Sequence, residues 1–210
     1  MKRIAIIGSG HLGQQIAYHI HQDTDDKVVA FFDEFQEEGI LIQGIPVKGG
    51  NNDVFAEFQK DSFDEVIIAI GYKHLDFKKE IFEELKNRIP FYTFVHSSAF
   101  VDSSAKIGQG SIVYPGCVID QGVEIGENVL LNVSCSVAHD SKVGDNSFLS
   151  PCIAVAGFVN IGEQCIIGIN TTIIDNINIV PEVQTGGGTV VINNLEQAGL
   201  YVGNPARFVR

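Results

Sequence analysis

The sequence predicts two domains of different class: a small α/β domain with a parallel sheet over residues 1–94, followed by a parallel β-helix over residues 95–210. Three observations carry this expectation. An aliphatic residue returns at almost every sixth position from Val95 to Val191. A strand-like run at the start of the chain meets a glycine turn and then a helical stretch. Strand and helix signals alternate between these two regions, as they do in parallel α/β sheets.

The repeat is the strongest signal. Stepping by six from Val95 meets Val, Ile or Leu at sixteen of seventeen positions, Thr185 being the exception. A period of six fits neither the 3.6 of an α-helix nor the alternation of a plain strand, unless each hexad makes one short strand and one corner. Three such strands close a triangular coil, so seventeen hexads give five to six coils, with equivalent residues eighteen apart stacked on one another. Four places into each hexad the residue is usually small or β-branched, as at Ser111, Cys117, Val123, Cys135, Ser141 and Cys165. The second place is often glycine, as at Gly108, Gly126, Gly144, Gly162, Gly168 and Gly186, where a Cβ would crowd a turn.

In the N-terminal region, residues 2–7 read as a buried strand and Gly8-Ser9-Gly10-His11-Leu12-Gly13 as a turn opening a helix to about His21. Val28–Phe32 and Val66–Ile70 read as further strands, residues 77–87 as a helix and 91–94 as a strand leading into the repeat. Gly8-x-Gly10-x-x-Gly13, with Asp33 twenty residues on, has the spacing of a dinucleotide-binding turn: glycines admit phosphates to a helix N-terminus, and a carboxylate accepts from ribose. A small Rossmann-like sheet follows. About ninety residues leave no room for a second mononucleotide-binding half, which speaks against a dinucleotide oxidoreductase and for a phosphate cradle.

Fourteen basic against twenty-six acidic residues, a formal charge of −12, argue against nucleic acid and anionic membrane as partners. No apolar run is long enough to span a bilayer, and Met1-Lys2-Arg3-Ile4 enters a strand without a signal-peptide pattern, so a cytoplasmic protein is expected. The four cysteines have no C-x-x-C spacing. No metal site is expected, and they read as core or near-core residues.

In its hexads and in Gly8-Ser9-Gly10-His11, Asp33-Glu34, Gly44-Ile45-Pro46-Val47, Ala69-Ile70-Gly71 and Gly203-Asn204-Pro205-Ala206-Arg207, the chain resembles the hexapeptide-repeat nucleotide-sugar N-acetyltransferases. These are the bacillosamine and perosamine type, with sialic acid O-acetyltransferase relatives. The resemblance covers nearly all 210 residues. It implies a left-handed coil, a homotrimer, acetyl-CoA held between neighbouring helices, and a nucleotide-activated amino sugar bound by the N-terminal domain. Ser9, Gly10, His11, Asp33, Glu34 and Gly71 match its substrate contacts.

Acetyl transfer from a thioester needs a base for the acceptor and a donor to the oxyanion, and histidine suits the first task at neutral pH. Of six histidines, His19, His21, His74 and His96 read as solvated or loop residues. His139 stands in the third place of a mid-helix hexad, where a corner puts it at the surface, and Asp140 follows it. By resemblance His139 is the general base and Asp140 its orienting partner. The acetyl-CoA side is matched by Gly157, as oxyanion donor, and by Gly168, Ile169 and Gly187, along the coenzyme slot. Phe148 takes the place, nine residues after the base, where relatives can carry a second histidine near the acetyl group, and by that resemblance it is counted with the cofactor-binding residues. A cysteine nucleophile competes poorly, since three thiols fall on inward slots. The expected reaction is acetylation of the 4-amino group of a nucleotide-linked 4-amino-4,6-dideoxy sugar. O-acetylation of a sialic-acid-type sugar and a non-catalytic nucleotide-binding trimer are the other readings.

Overall fold

A computed structural model describes all 210 residues, which form two compact units, Met1–Thr93 and Phe94–Arg210.

Unit 1 is built on a three-stranded parallel sheet in the order β2-β1-β5, with β1 at Arg3–Ile7, β2 at Lys27–Phe32 and β5 at Glu65–Ile68. Ile4 to Ile7 and Val66 to Ile68 are almost fully buried, as strands covered on both faces require. Helix α1, His11–Asp23, lays Gly13, Ile16, Ala17 and Ile20 inward at i, i+3, i+4 and i+7. Helix α3, Leu75–Leu85, begins two residues before its expected start and ends two before its expected end, with Leu75, Ile81, Phe82 and Leu85 buried.

Three features of unit 1 depart from the sequence reading. Residues 91–94 do not form a strand of this sheet: Phe91 only bridges Val66 at its edge, and Phe94 already belongs to the first strand of unit 2. A short helix α2, Val54–Gln59, and a hairpin of β3, Leu41–Ile42, and β4, Ile45–Pro46, were not foreseen. The hairpin turns on Gln43 (φ 52°) and Gly44 (φ 81°), and two successive positive φ values are what a two-residue hairpin loop demands. Val47 then bridges Phe31 in parallel, so the hairpin extends the β2 edge.

Unit 2 is a left-handed parallel β-helix of about six turns. Its strands are mostly two residues long and stack in three parallel sheets, every pair in the same register: Val118↔Ser136, Glu124↔Lys142, Leu130↔Phe148. The partner is always eighteen residues away, so each coil is three hexads. First-place and fifth-place residues fill the interior, from Val113 and Cys117 to Ile179 and Val183. Fully burying each aliphatic residue is worth about 1.5–3 kcal/mol, which makes the column the unit's main source of stability. The fifth-place serines are buried too, and their hydroxyls replace missing strand bonds. Ser141 Oγ donates to the Ala156 carbonyl (2.9 Å) and accepts the Val159 N–H (3.0 Å). Thr185, the one non-aliphatic first-place residue, accepts the Gly168 N–H at 2.9 Å.

The fourth place of every hexad from Gly110 to Gly188 has positive φ, near 54–73°. This is the left-handed corner that glycine and asparagine tolerate best, and Gly110, Gly116, Gly122, Asn128, Asn146, Asn170 and Asn176 occupy it. The period ends after Val191. Gly199–Val202 pairs with Val183–Thr185 across sixteen residues instead of eighteen, and Arg207–Phe208 folds back antiparallel on it, closing the sheet edge.

Candidate active site

His139 lies where the period puts it, on the corner between the strands Ser136–Val137 and Lys142–Val143. Its side chain is about two-fifths exposed, and its Nδ1 lies 3.0 Å from Asp140 Oδ2. Asp140 takes the left-handed fourth place (φ 57°), which turns its carboxylate back along the corner. With Nδ1–H donated to Asp140, Nε2 is the ring atom left to accept a proton.

The next coil supplies the floor of this corner. Gly157, eighteen residues on, is buried, and a Cβ built on it would stand 2.7 Å from His139 Cε1 and 2.8 Å from Nε2. No side chain fits there: the imidazole occupies that space. The Gly157 N–H has no hydrogen-bond partner within the chain. Phe158 follows, its N–H donating to the His139 carbonyl (3.1 Å) and its ring set edge-to-face with the imidazole, centroids 5.1 Å apart at 87°.

Gly168, Ile169 and Gly187 come together on another corner. Ile169 is half-exposed, a Cβ on Gly187 would stand 3.0 Å from its Cγ2, and the Gly188 N–H donates to its carbonyl at 2.7 Å. That corner follows the strand Ile166–Ile167, whereas His139 stands on the corner one strand further along the coil. One copy of the β-helix therefore separates the two groups by a face. Phe148 belongs with neither, being a strand residue paired with Leu130 and Ile166 and only 6% exposed.

The cysteines behave as the repeat implies. Sγ of Cys117 and Cys135 donates to the carbonyls of Asn132 (3.0 Å) and Ser150 (3.1 Å). Burial pushes the Cys165 thiol up to about 11. A thiolate is disfavoured there, and Cys152 alone is exposed. No group of three or more His, Cys, Asp or Glu could hold a metal ion, and no helix is long and apolar enough to cross a membrane.

In unit 1 a cleft of about 470 Å³ opens at the carboxyl ends of the strands. Gly8, Asp33, Glu34 and Gly71 line it, where open parallel sheets bind ligands. Gly8 adopts φ 98°, and a Cβ on Gly13 would stand 2.0 Å from the Gly8 carbonyl oxygen, so the third glycine permits the close helix-to-loop approach. Gly10 begins α1, leaving the first-turn N–H groups and the exposed His11 at the loop.

Ser9 and Asp33 have a different first duty from the one the spacing suggested. Ser9 is 2% exposed, and both its N–H (2.8 Å) and its hydroxyl (2.6 Å) donate to Asp33 Oδ2, while Oδ1 accepts the Phe35 N–H (2.9 Å). Burial pushes the Asp33 pKa up, but these hydrogen bonds outweigh it and hold the carboxyl below its ordinary value. The pair clamps the glycine loop to the end of β2. Glu34 Oε1 accepts the Asn51 N–H (2.7 Å), fixing the far wall. Asn51, Ile70, His74, Phe77 and the 91%-exposed Phe35 also line the cleft. Sequence reasoning passed over these; only His74, close after Gly71, carried a usable signal.

Residues 3–85 match the family described as the PglD N-terminal domain. No curated protein matches the chain. Among solved structures, the acetyltransferase domain of PglB from Neisseria gonorrhoeae FA1090 is 24% identical with a TM-score of 0.89, covering 100% of both chains. A histidine variant of GDP-perosamine N-acetyltransferase from Caulobacter crescentus, in complex with CoA and GDP-perosamine, is 24% identical with a TM-score of 0.91, covering 99% of this chain and 96% of that one. WeeI from Acinetobacter baumannii AYE is 21% identical with a TM-score of 0.71, covering 98% and 99%. Residues 3–85 thus match the PglD N-terminal domain family, and the chain has, from end to end, the fold of the PglB acetyltransferase domain and the perosamine N-acetyltransferase.

Proposed function

We propose that the protein transfers acetyl from acetyl-CoA to the 4-amino group of a nucleotide-linked 4-amino-4,6-dideoxy sugar. The observation that carries this reading is the His139–Asp140 pair, 3.0 Å apart on an exposed corner and set over a glycine that leaves room for the ring. Its support is the fold shared with a perosamine N-acetyltransferase whose structure contains CoA and GDP-perosamine, together with the unit 1 cleft beneath a phosphate-type glycine turn.

In the proposed reaction His139 Nε2 takes the proton from the attacking amine, and Asp140 holds the tautomer and balances the imidazolium. The amine bonds to the thioester carbonyl carbon, and the Gly157 N–H donates to the oxyanion. As the carbon–sulfur bond breaks, the imidazolium returns its proton to the departing thiolate, which leaves an amide, free CoA and neutral His139. The glycine turn and α1 N-terminus hold the nucleotide diphosphate. Because His139 and the Gly168–Ile169–Gly187 corner lie apart on one β-helix, the reading includes a homotrimer in which a neighbour's corner completes the coenzyme slot.

The test is thiol release with a panel of UDP-, dTDP- and GDP-linked 4-amino sugars, free sialic acid and no acceptor. A turnover-competent amino sugar, with His139→Ala reducing kcat by about a hundredfold or more, is expected. Near-normal activity in His139→Ala removes the assignment, and activity on sialic acid alone replaces N-acetylation with O-acetylation.

A further inference from the structure

Fourteen residues from Gly110 to Gly188 occupy the left-handed fourth place of their hexads, and Phe158 is the only aromatic among them. The others are glycine, asparagine or small and polar residues, apart from Gln164 and Glu182. Phe158 holds φ 57° and is 55% exposed. A bulky residue there is strained, and its exposed ring gains little from burial, so neither backbone preference nor core packing accounts for it.

The ring's surroundings do. It stands edge-to-face with His139, centroids 5.1 Å apart at 87°, a favoured geometry for aromatic pairs. The Phe158 N–H donates to the His139 carbonyl at 3.1 Å, the bond that fourth-place residues from Asn128 to Gly188 all make to the coil before, so the ring contact is what is particular to Phe158. Around the imidazole, Asp140 takes Nδ1, the Gly157 backbone lies under the ring, and Phe158 closes one side. We infer that Phe158 is a positioning residue: its strained backbone is retained because the ring locks His139 in the rotamer that faces Asp140. This rests on His139 being the base. It adds that the corner of the following coil, not Asp140 alone, sets the ring's orientation.

Two variants test it, read by melting, kinetics and a crystal structure. Phe158→Asn places in the slot a residue that it accepts as often as glycine, and Phe158→Tyr keeps the ring. Phe158→Asn is expected to melt no lower than the parent, to lose about tenfold or more in kcat, to keep both KM values within about twofold, and to shift the acid limb of the kcat/KM profile. Phe158→Tyr is expected to restore most of kcat. A crystal structure of Phe158→Asn is expected to show His139 in more than one rotamer, with the Asp140 contact weakened.

An unchanged kcat overturns the proposal, and so does a rise in KM alone, which makes Phe158 a substrate contact. An unmoved, singly ordered imidazole in the variant crystal overturns it independently of any assay. The last readout also separates this proposal from the function it rests on. If His139→Ala stays active, the base assignment fails, yet the rotamer of His139 in Phe158→Asn still decides whether Phe158 orients it.

Discussion

Gly157 shows how one missing Cβ seats a neighbouring side chain. Its ideal Cβ position lies 2.7 Å from His139 Cε1, closer than any tolerated contact, and the obstacle is a ring held at Nδ1 by Asp140. Gly157→Ala is therefore expected to expel the imidazole from its seat while the coil survives. The outcome is a fall in kcat of about a hundredfold, as misplacement of a reacting group by about 1 Å produces. Circular dichroism is expected to stay native, and steady-state kinetics to show the loss. Full activity in Gly157→Ala means the ring has another seat. The sequence made His139 and Asp140 legible, because the hexad count places them outward on a corner. It did not make the steric role of Gly157 legible, since that role appears only when one coil is laid on the next. Phe158 was not legible as a misfit, because the fourth place shows itself as a left-handed corner only in the folded backbone.

At the scale of elements, the loop between β1 and α1 is tied to β2 by Asp33. The spacing of Asp33 from the glycines suggested a ribose acceptor. In the folded chain three donors already meet its carboxylate, two from Ser9 and one from the Phe35 N–H. Sequence could not show this, because Ser9 looks like any residue of a glycine turn and its inward aim depends on the strand pairing. A carboxyl whose folded pKa lies below its ordinary value of 3.8 stabilises the fold above that value and loses the contribution as pH falls through the folded pKa. Asp33→Asn is thus expected to lower the melting temperature at pH 7, with the gap to the parent closing as pH falls below 3.8 and through the folded pKa. Melting followed by circular dichroism across pH measures it, and a gap of the same size at both ends removes the electrostatic account. Long, strongly periodic elements were read well for a related reason. β1, α1 and the coils are fixed by local pattern, whereas the β3–β4 hairpin answers to the edge of β2 that it extends and to the turn at Gln43-Gly44.

At the scale of the whole molecule, composition and proposed substrates are at odds. The chain carries a formal charge of −12, and both proposed ligands are anions with several phosphate charges. The glycine loop and α1 N-terminus attract phosphate only over a few ångströms, because helix-end fields fade within a turn. The repulsion of the net charge reaches a Debye length, about 30 Å at 0.01 M ionic strength and about 8 Å at 0.15 M. At low salt, approach is therefore opposed before the local donors can act, and added salt screens the repulsion first. kcat/KM for acetyl-CoA is expected to rise as NaCl increases from about 10 to 150 mM, the reverse of the steered association seen when protein and ligand carry opposite charges. kcat itself is expected to stay constant, since His139 and Asp140 act at contact distance. Stopped-flow or steady-state rates across that range decide the matter. A kcat/KM that falls with salt means the assembled protein presents a positive surface to the coenzyme, which the charge of one chain does not suggest.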